Sequence, residues 1–218
     1  MITVYGFKRV KDPVIGETRD LRALWALEET GLPYRVHGLD FVEGETQTDD
    51  YRRISPFSQV PVIDDDGFIV AETGAIVLYL AEKASMLIPA DLKGRSGVTQ
   101  WCCSALNTIE PTLLQIQIID GGGEAATGAQ RRPALVDQAR EKFAVLEALS
   151  SRRYLAGDDF TVADVMMTTI LREIRKTDLI EGFPALKDYF TRCQARPAWQ
   201  RTLRAYEARM GAPEGAAH

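Results

Sequence analysis

Two short stretches combine residue types that could hold a small peptide: Gln59-Val60-Pro61 and Glu72-Thr73. With Val60–Pro61 cis, the Val60 backbone turns its N–H and C=O outward to an extended peptide rather than into a sheet, although cis is only about 5–6% of X–Pro bonds. Glu72-Thr73 then opens a helix. The unpaired N–H groups of a helix start, with the Thr73 hydroxyl, suit a carboxylate. Glu72 adds an anion for an ammonium. A backbone clamp, an anion site and a cation site thus lie between residues 59 and 73, the set a small zwitterionic peptide needs. The same residues also have a purely structural use, with Thr73 capping its helix and Pro61 opening a strand.

Other chemistries find less support. There are two histidines, His37 and His218, and no Cys-x-x-Cys, so no local motif holds zinc or haem. His37 reads as a strand residue. Gly121–Gly123 with Gly128 mimics a phosphate loop, but Ala129-Gln130 stands where Lys-Ser/Thr is required, which leaves a flexible loop. Cys102 falls on an apolar stripe and reads as a buried, inert thiol rather than half of a redox pair with Cys103.

The elements that position these residues follow from periodicity. Ile2 to Tyr5 reads as a strand and residues 8–17 as a loop with Pro13 and Gly16. A helix starts near Thr18, carries Leu21, Leu24 and Trp25 on one face and closes at Gly31. A strand follows at about Tyr34 to Leu39, completing a βαβ unit with parallel pairing. Thr48 to Ile54 is a short helix. Val60–Ile63 and Phe68–Val70 flank an Asp-Asp-Gly turn, a hairpin signal. Thr73 to Ala84 is a helix with Ile76, Val77 and Leu80 inward. This is the element order of a thioredoxin-like fold.

Beyond a linker at 86–94 everything reads as helix. The stripes are Val98–Ile109, interrupted by Pro111; Leu135, Ala139, Phe143 and Leu146; Ala163 to Ile174; Leu186, Tyr189, Phe190 and Cys193; and Trp199, Leu203, Tyr206 and Met210. Thr161 and Asp164 form a capping box at the third of these, with Phe160 placed to staple to Val165. No repeat is visible, and the tail from Gly211 reads as frayed.

Composition bounds the function classes. The 218 residues are 45% apolar and 26% charged, ordinary for a globule. Basic residues number 26 and acidic ones 31, a net charge of −5. An acidic chain is a poor nucleic-acid binder. No window approaches a membrane span, and MITVYGFKRV lacks the apolar core expected of a signal peptide. Three cysteines without framework spacing fit a reducing compartment, so the expected address is cytoplasmic.

The stretch ISPFSQVPVIDDDGFIVAETGAIVLYLAEK resembles the glutathione-binding signature of the cytosolic glutathione transferase superfamily. RALWALEETGLPYRV resembles the family's first helix and second strand, YLAGDDFTVADVMM its capped helix and RPAWQRT its last helices. The resemblance covers nearly the whole chain in order and suggests a bacterial-type, hydroxyl-dependent member. It implies a thioredoxin-like glutathione domain at 1–85 with a mixed βαβαββα sheet, the linker at 86–94, an all-α domain at 95–218 that contributes the electrophile site, and a homodimer. Position by position it puts the Val60 backbone, beside Pro61, on the cysteinyl part of glutathione, Glu72 and Thr73 on the γ-glutamyl end, and Gln59 near the glycyl end or backbone.

The family's chemistry needs the glutathione thiol as a thiolate, held by a donor at the start of the first helix. Members use a tyrosine ending the first strand or a serine, threonine or cysteine at that helix. Tyr5 matches the first place. Thr18, four residues before Arg22, matches the second and is preferred, because a short hydroxyl there needs no reach across the loop. Thr18 as a plain N-cap and Tyr5 as a packing residue remain the alternatives. The expected activity is conjugation of glutathione, a co-substrate, to a small hydrophobic electrophile without a metal. Peroxide or disulfide reduction uses the same thiolate. A non-catalytic binding module of the same fold is the alternative.

Overall fold

A computed structural model describes residues 1–11, 14–122, 127–149 and 152–212. Two positions of the loop at 8–17, Gly123 of the glycine run, and the tail from residue 213 with His218 lie outside the described residues. The chain divides into two compact units, Met1–Met86 together with the chain from Arg196 onward, and Leu87–Ala195.

In the first unit the elements run β1 (Ile2–Arg9), α1 (Asp20–Thr30), β2 (Tyr34–Asp40), α2 (Asp49–Ile54), β3 (Val62–Asp65), β4 (Phe68–Ala71) and α3 (Thr73–Ala84). The sheet order is β2-β1-β3-β4, parallel between β1 and β2 and antiparallel elsewhere. This is the mixed thioredoxin-like sheet. The hairpin turns at Asp66 and Gly67, whose φ values of 52° and 96° are what a two-residue turn between twisted strands requires. Thr48 caps α2 by accepting the Tyr51 N–H. Strand β1 runs four residues past its expected end at Tyr5, because pairing with β2 continues through Phe7↔Leu39 and Arg9↔Asp40 across an irregularity. The charged pair Lys8-Arg9 hides that continuation from a hydropathy reading.

The second unit is helical: α4 (Leu92–Ser104), α5 (Glu110–Asp120), α6 (Thr127–Leu149), α7 (Val162–Leu171) and α8 (Pro184–Gln194). The expected linker at 86–94 is partly helix, since α4 starts at Leu92 behind an Asp91 cap. Pro111 does not break the stripe it interrupts. A π turn at Ala105–Ile109 precedes it, and the proline sits in the first turn of α5, where no N–H is needed. The expected capping box is present: Asp164 accepts from the Thr161 N–H and hydroxyl at 2.8 and 3.1 Å. Cys102 and Cys193 are buried, and burial pushes both thiols up to about 12, so neither is a reactive thiolate. Cys103 is exposed. No helix among the described residues is long and apolar enough to cross a membrane.

The last helix, α9 (Pro197–Met210), departs from the expected all-helical domain at 95–218. It packs within the first unit. Trp199 meets Trp25 of α1 with ring centroids 4.6 Å apart. Arg196 grips Glu29 bidentately at 2.6 and 2.8 Å, and Arg201 donates to the Glu28 carboxylate at 2.8 Å. Trp199, Leu203 and Tyr206 are fully buried there. The apolar stripe on α9 specifies that it has a core face. The partners of that face come from α1.

Candidate active site

The residues of the proposed peptide clamp lie together around β3 and the start of α3. The Val60–Pro61 bond is cis, the conformer the clamp requires. The ladder pairs begin at Val62, opposite Tyr5 and Ala71, so the Val60 N–H and C=O stand outside it. The turn before Val60 is fixed through Gln59. Its carbonyl accepts from the Tyr51 and Ser55 hydroxyls at 2.7 and 2.9 Å, and its N–H donates to the Ser55 oxygen at 2.9 Å. The Gln59 side chain remains exposed.

Glu72 precedes α3 with φ 69° and ψ 121°, a sparsely populated region for a non-glycine residue that costs on the order of 1–3 kcal/mol. Its side chain is exposed and caps nothing. The opening N–H groups of α3 therefore have no side-chain cap, the arrangement that suits a carboxylate. Thr73 is buried behind them, and its hydroxyl oxygen accepts from Arg22 Nη1 at 3.2 Å. That bond uses a lone pair and leaves the hydroxyl's own proton for an anion. Arg22, 2% exposed, adds a fixed positive charge under the same spot. The sequence marked Arg22 only as a register point.

Thr18 does not cap α1, which starts at Asp20 behind Arg19 without a side-chain cap. The Thr18 hydroxyl donates to Asp20 Oδ1 at 2.6 Å and contacts the Tyr206 hydroxyl at 2.9 Å. A hydroxyl has one proton and a carboxylate has none to give. The Thr18 proton therefore goes to Asp20, and Tyr206 donates into the Thr18 oxygen. The Gly16 N–H completes the chain at 3.4 Å from the Tyr206 oxygen. Burial pushes the Tyr206 phenol up to about 12, so it stays a neutral donor. Asp20 is fully buried and also accepts from the Phe7 N–H and Arg209 Nη2, both at 3.1 Å.

Tyr5 faces the other side of the sheet. A Cβ on Gly6 would lie 3.0 Å from Asp20 Oδ2, so position 6 faces α1 and must be small. Neighbouring strand residues point to opposite faces, and the Tyr5 ring accordingly packs on His37 and Tyr51 at centroid distances of 5.1 and 6.0 Å. It shares a cluster with Leu39, Tyr51 and Val60. It also lines a cavity of about 470 Å³ under α2, with His37, Leu39, Tyr51 and Ile54. Tyr5 and Thr18 are thus separated by the sheet. Asp20 and Arg209 escaped the sequence reading and Tyr206 entered it only as a core residue of its helix, because Tyr206 and Arg209 come from a helix whose partner was not readable.

The chain matches two family models, the glutathione S-transferase N-terminal domain over residues 14–82 and the C-terminal domain over residues 109–197. A probable glutathione S-transferase, GSTF2, of Oryza sativa subsp. japonica is 32% identical over 190 residues, 83% of this chain and 88% of that protein. Glutathione S-transferase hmp2 of Hypomyces subiculosus is 30% identical over 193 residues, 82% and 90% of the two chains. Among solved structures, a glutathione transferase of Burkholderia graminis with two glutathione molecules bound per subunit superposes with a TM-score of 0.82 at 27% identity, covering 94% of this chain and 88% of that one.

Proposed function

The chain belongs to the glutathione S-transferase family, and from that membership we propose that it activates the glutathione thiol as thiolate and adds it to a small hydrophobic electrophile. Reduction of peroxides or mixed disulfides draws on the same thiolate. The observation that carries the reading is the uncapped start of α3, with the Thr73 hydroxyl held over Arg22. There the γ-glutamyl carboxylate meets helix N–H groups and a hydroxyl proton, and Glu72 takes the ammonium. The Val60 N–H and C=O pair with the cysteinyl backbone beside Pro61, and Gln59 lies toward the glycyl end. Thr73→Ala should weaken glutathione binding by about 1–3 kcal/mol, the loss of a hydrogen bond to a charged group. Glu72→Gln should act similarly through the ammonium. Calorimetry on both variants checks this, and unchanged affinity in both removes these residues from the site.

For the thiolate we propose Thr18, the hydroxyl-dependent, bacterial-type arrangement. Its proton turns from Asp20 Oδ1 to the sulfur, while Arg209 and the Phe7 N–H continue to hold Oδ2 and the Arg209 charge balances the carboxylate. The geometry at Thr18 also favours a second reading, a module that binds glutathione without reacting, since that proton is already engaged. Retention on a glutathione column without conjugation of a thiol-reactive electrophile would decide for the second reading.

We further propose a cytoplasmic homodimer, with the N-terminal domain of one subunit facing the helical domain of the other. Phe57 supports the dimer: the residue is 81% exposed, and Phe68 of the same unit is 58% exposed. Burying a phenylalanine contributes about 1.5–3 kcal/mol, and a two-fold pair counts each contact twice. Phe57→Asp should therefore move the sedimenting species from a pair toward the single chain of 24.2 kDa. A variant that sediments like the parent excludes Phe57 from the interface.

A further inference from the structure

We propose that Arg209, on the last helix, sets the acidity of the bound glutathione thiol by neutralising Asp20, and is thereby a positioning residue for the reaction. The inference rests on Thr18 being the thiol-side hydroxyl.

Asp20 has no exposed surface, and its partners among the described residues come from fixed positions. Oδ1 takes the Thr18 proton, and Oδ2 takes the Phe7 N–H and Arg209 Nη2. Arg209 is itself held in place. Its Nε donates to the Phe7 carbonyl at 2.7 Å, and its guanidinium lies 5.3 Å from the centroid of the Tyr206 ring. The guanidinium side chain is 16% exposed, so water screens this pair weakly. Among the described contacts, Arg209 of α9 meets Asp20 directly, Tyr206 of α9 lies within its field, and β1 presents a backbone N–H. Tyr34 of β2 lies within the field of Arg209, and Arg22, two residues on from Asp20, is turned to Thr73.

A thiolate received by Thr18 is a second anion on the same hydroxyl. Two anions that close suppress each other's ionisation, whereas a cation beside one relieves it. Arg209 is that cation. Without it, the buried Asp20 charge raises the bound thiol's pKa by about one unit or more, which means about tenfold fewer thiolates at neutral pH. A merely structural Arg209, tying α9 to β1, would change stability and leave the thiol's titration where it was.

The test uses the full chain and glutathione. The bound thiolate is titrated by its ultraviolet absorbance, and kcat/KM for conjugation is followed against pH. Arg209→Gln should raise the thiol pKa by about one unit. Arg209→Lys should fall between this variant and the parent. Adding Asp20→Asn to Arg209→Gln should bring the value back to the parent's or below, because the anion is gone. The single variant Asp20→Asn should lower it, and carries the test if Arg209→Gln does not fold. A parent-like titration in folded Arg209→Gln, a double variant as raised as the single, or an unlowered Asp20→Asn overturns the inference. A parent protein that binds no glutathione by calorimetry instead overturns the functional reading beneath it.

Discussion

Thr18→Ala is expected to slow conjugation by roughly ten- to a hundredfold while glutathione affinity stays close to the parent's, the signature of an interaction made with the thiolate rather than with the peptide. Each tenfold corresponds to about 1.4 kcal/mol of transition-state stabilisation. The pH dependence should shift upward with the loss of rate, because the thiol has lost a donor. Thr18→Ser keeps the hydroxyl, its proton and its reach to Asp20, and should keep most of the activity. Tyr5→Phe should be mild, because the Tyr5 ring packs on His37 and Tyr51 across the sheet from Thr18. Thr18→Ala also removes a partner from both Asp20 and Tyr206, so about 1–3 kcal/mol of stability should go with it. Rates are therefore compared well below the melting temperature. A parent-like rate in Thr18→Ala together with a crippled Tyr5→Phe would transfer the role to Tyr5.

Local signals made α3, the hairpin and the α7 cap readable. Thr73 to Ala84 carries its apolar period undisturbed, the Asp-Asp-Gly run allows one kind of turn, and Thr161 with Asp164 is a self-contained motif. These features need no knowledge of what packs against them. The segments of the proposed clamp were readable for the same reason, since the Val60–Pro61 step and the helix start at Thr73 are features of their own local sequence. The extension of β1 was not readable, because the pairing of Phe7 to Arg9 is supplied by β2 and not by the residues' own character. Nor was the placement of α9. Trp199 and Trp25 meet across more than 170 positions, and an amphipathic stripe carries no label for its partner. Thr18 suffered from both limits. Its sequence neighbours suggest a cap, whereas its actual partners are Asp20, two residues on, and Tyr206 from α9. The proton direction at Thr18, on which the proposed chemistry turns, becomes visible only once those partners are known.

Asp164→Ala should be the most destabilising single change considered, at about 3–5 kcal/mol. The carboxylate is fully buried and accepts four hydrogen bonds. They come from the Leu155 N–H, the Thr161 N–H and hydroxyl, and the Tyr189 hydroxyl, at 2.8 to 3.1 Å. One side chain thus joins the start of α7, the segment before it and α8. An alanine would strand four donors away from water, and each buried orphan carries its full desolvation cost. Burial pushes the Asp164 carboxyl up, while the donors pull it down by less; burial also pushes the Tyr189 phenol well above its ordinary value, so it remains a donor. Asp164→Asn retains one accepting oxygen without the charge and should cost less than alanine. For a chain of this length the alanine loss corresponds to roughly 6–20 °C in Tm, readable by circular dichroism alongside denaturant titration. Because α7 lies in a different unit from α3, glutathione affinity measured well below Tm should be little changed. An Asp164→Ala protein melting within about 1 °C of the parent would mean that the four donors find other partners, and that the box is not what holds α7 to its neighbours.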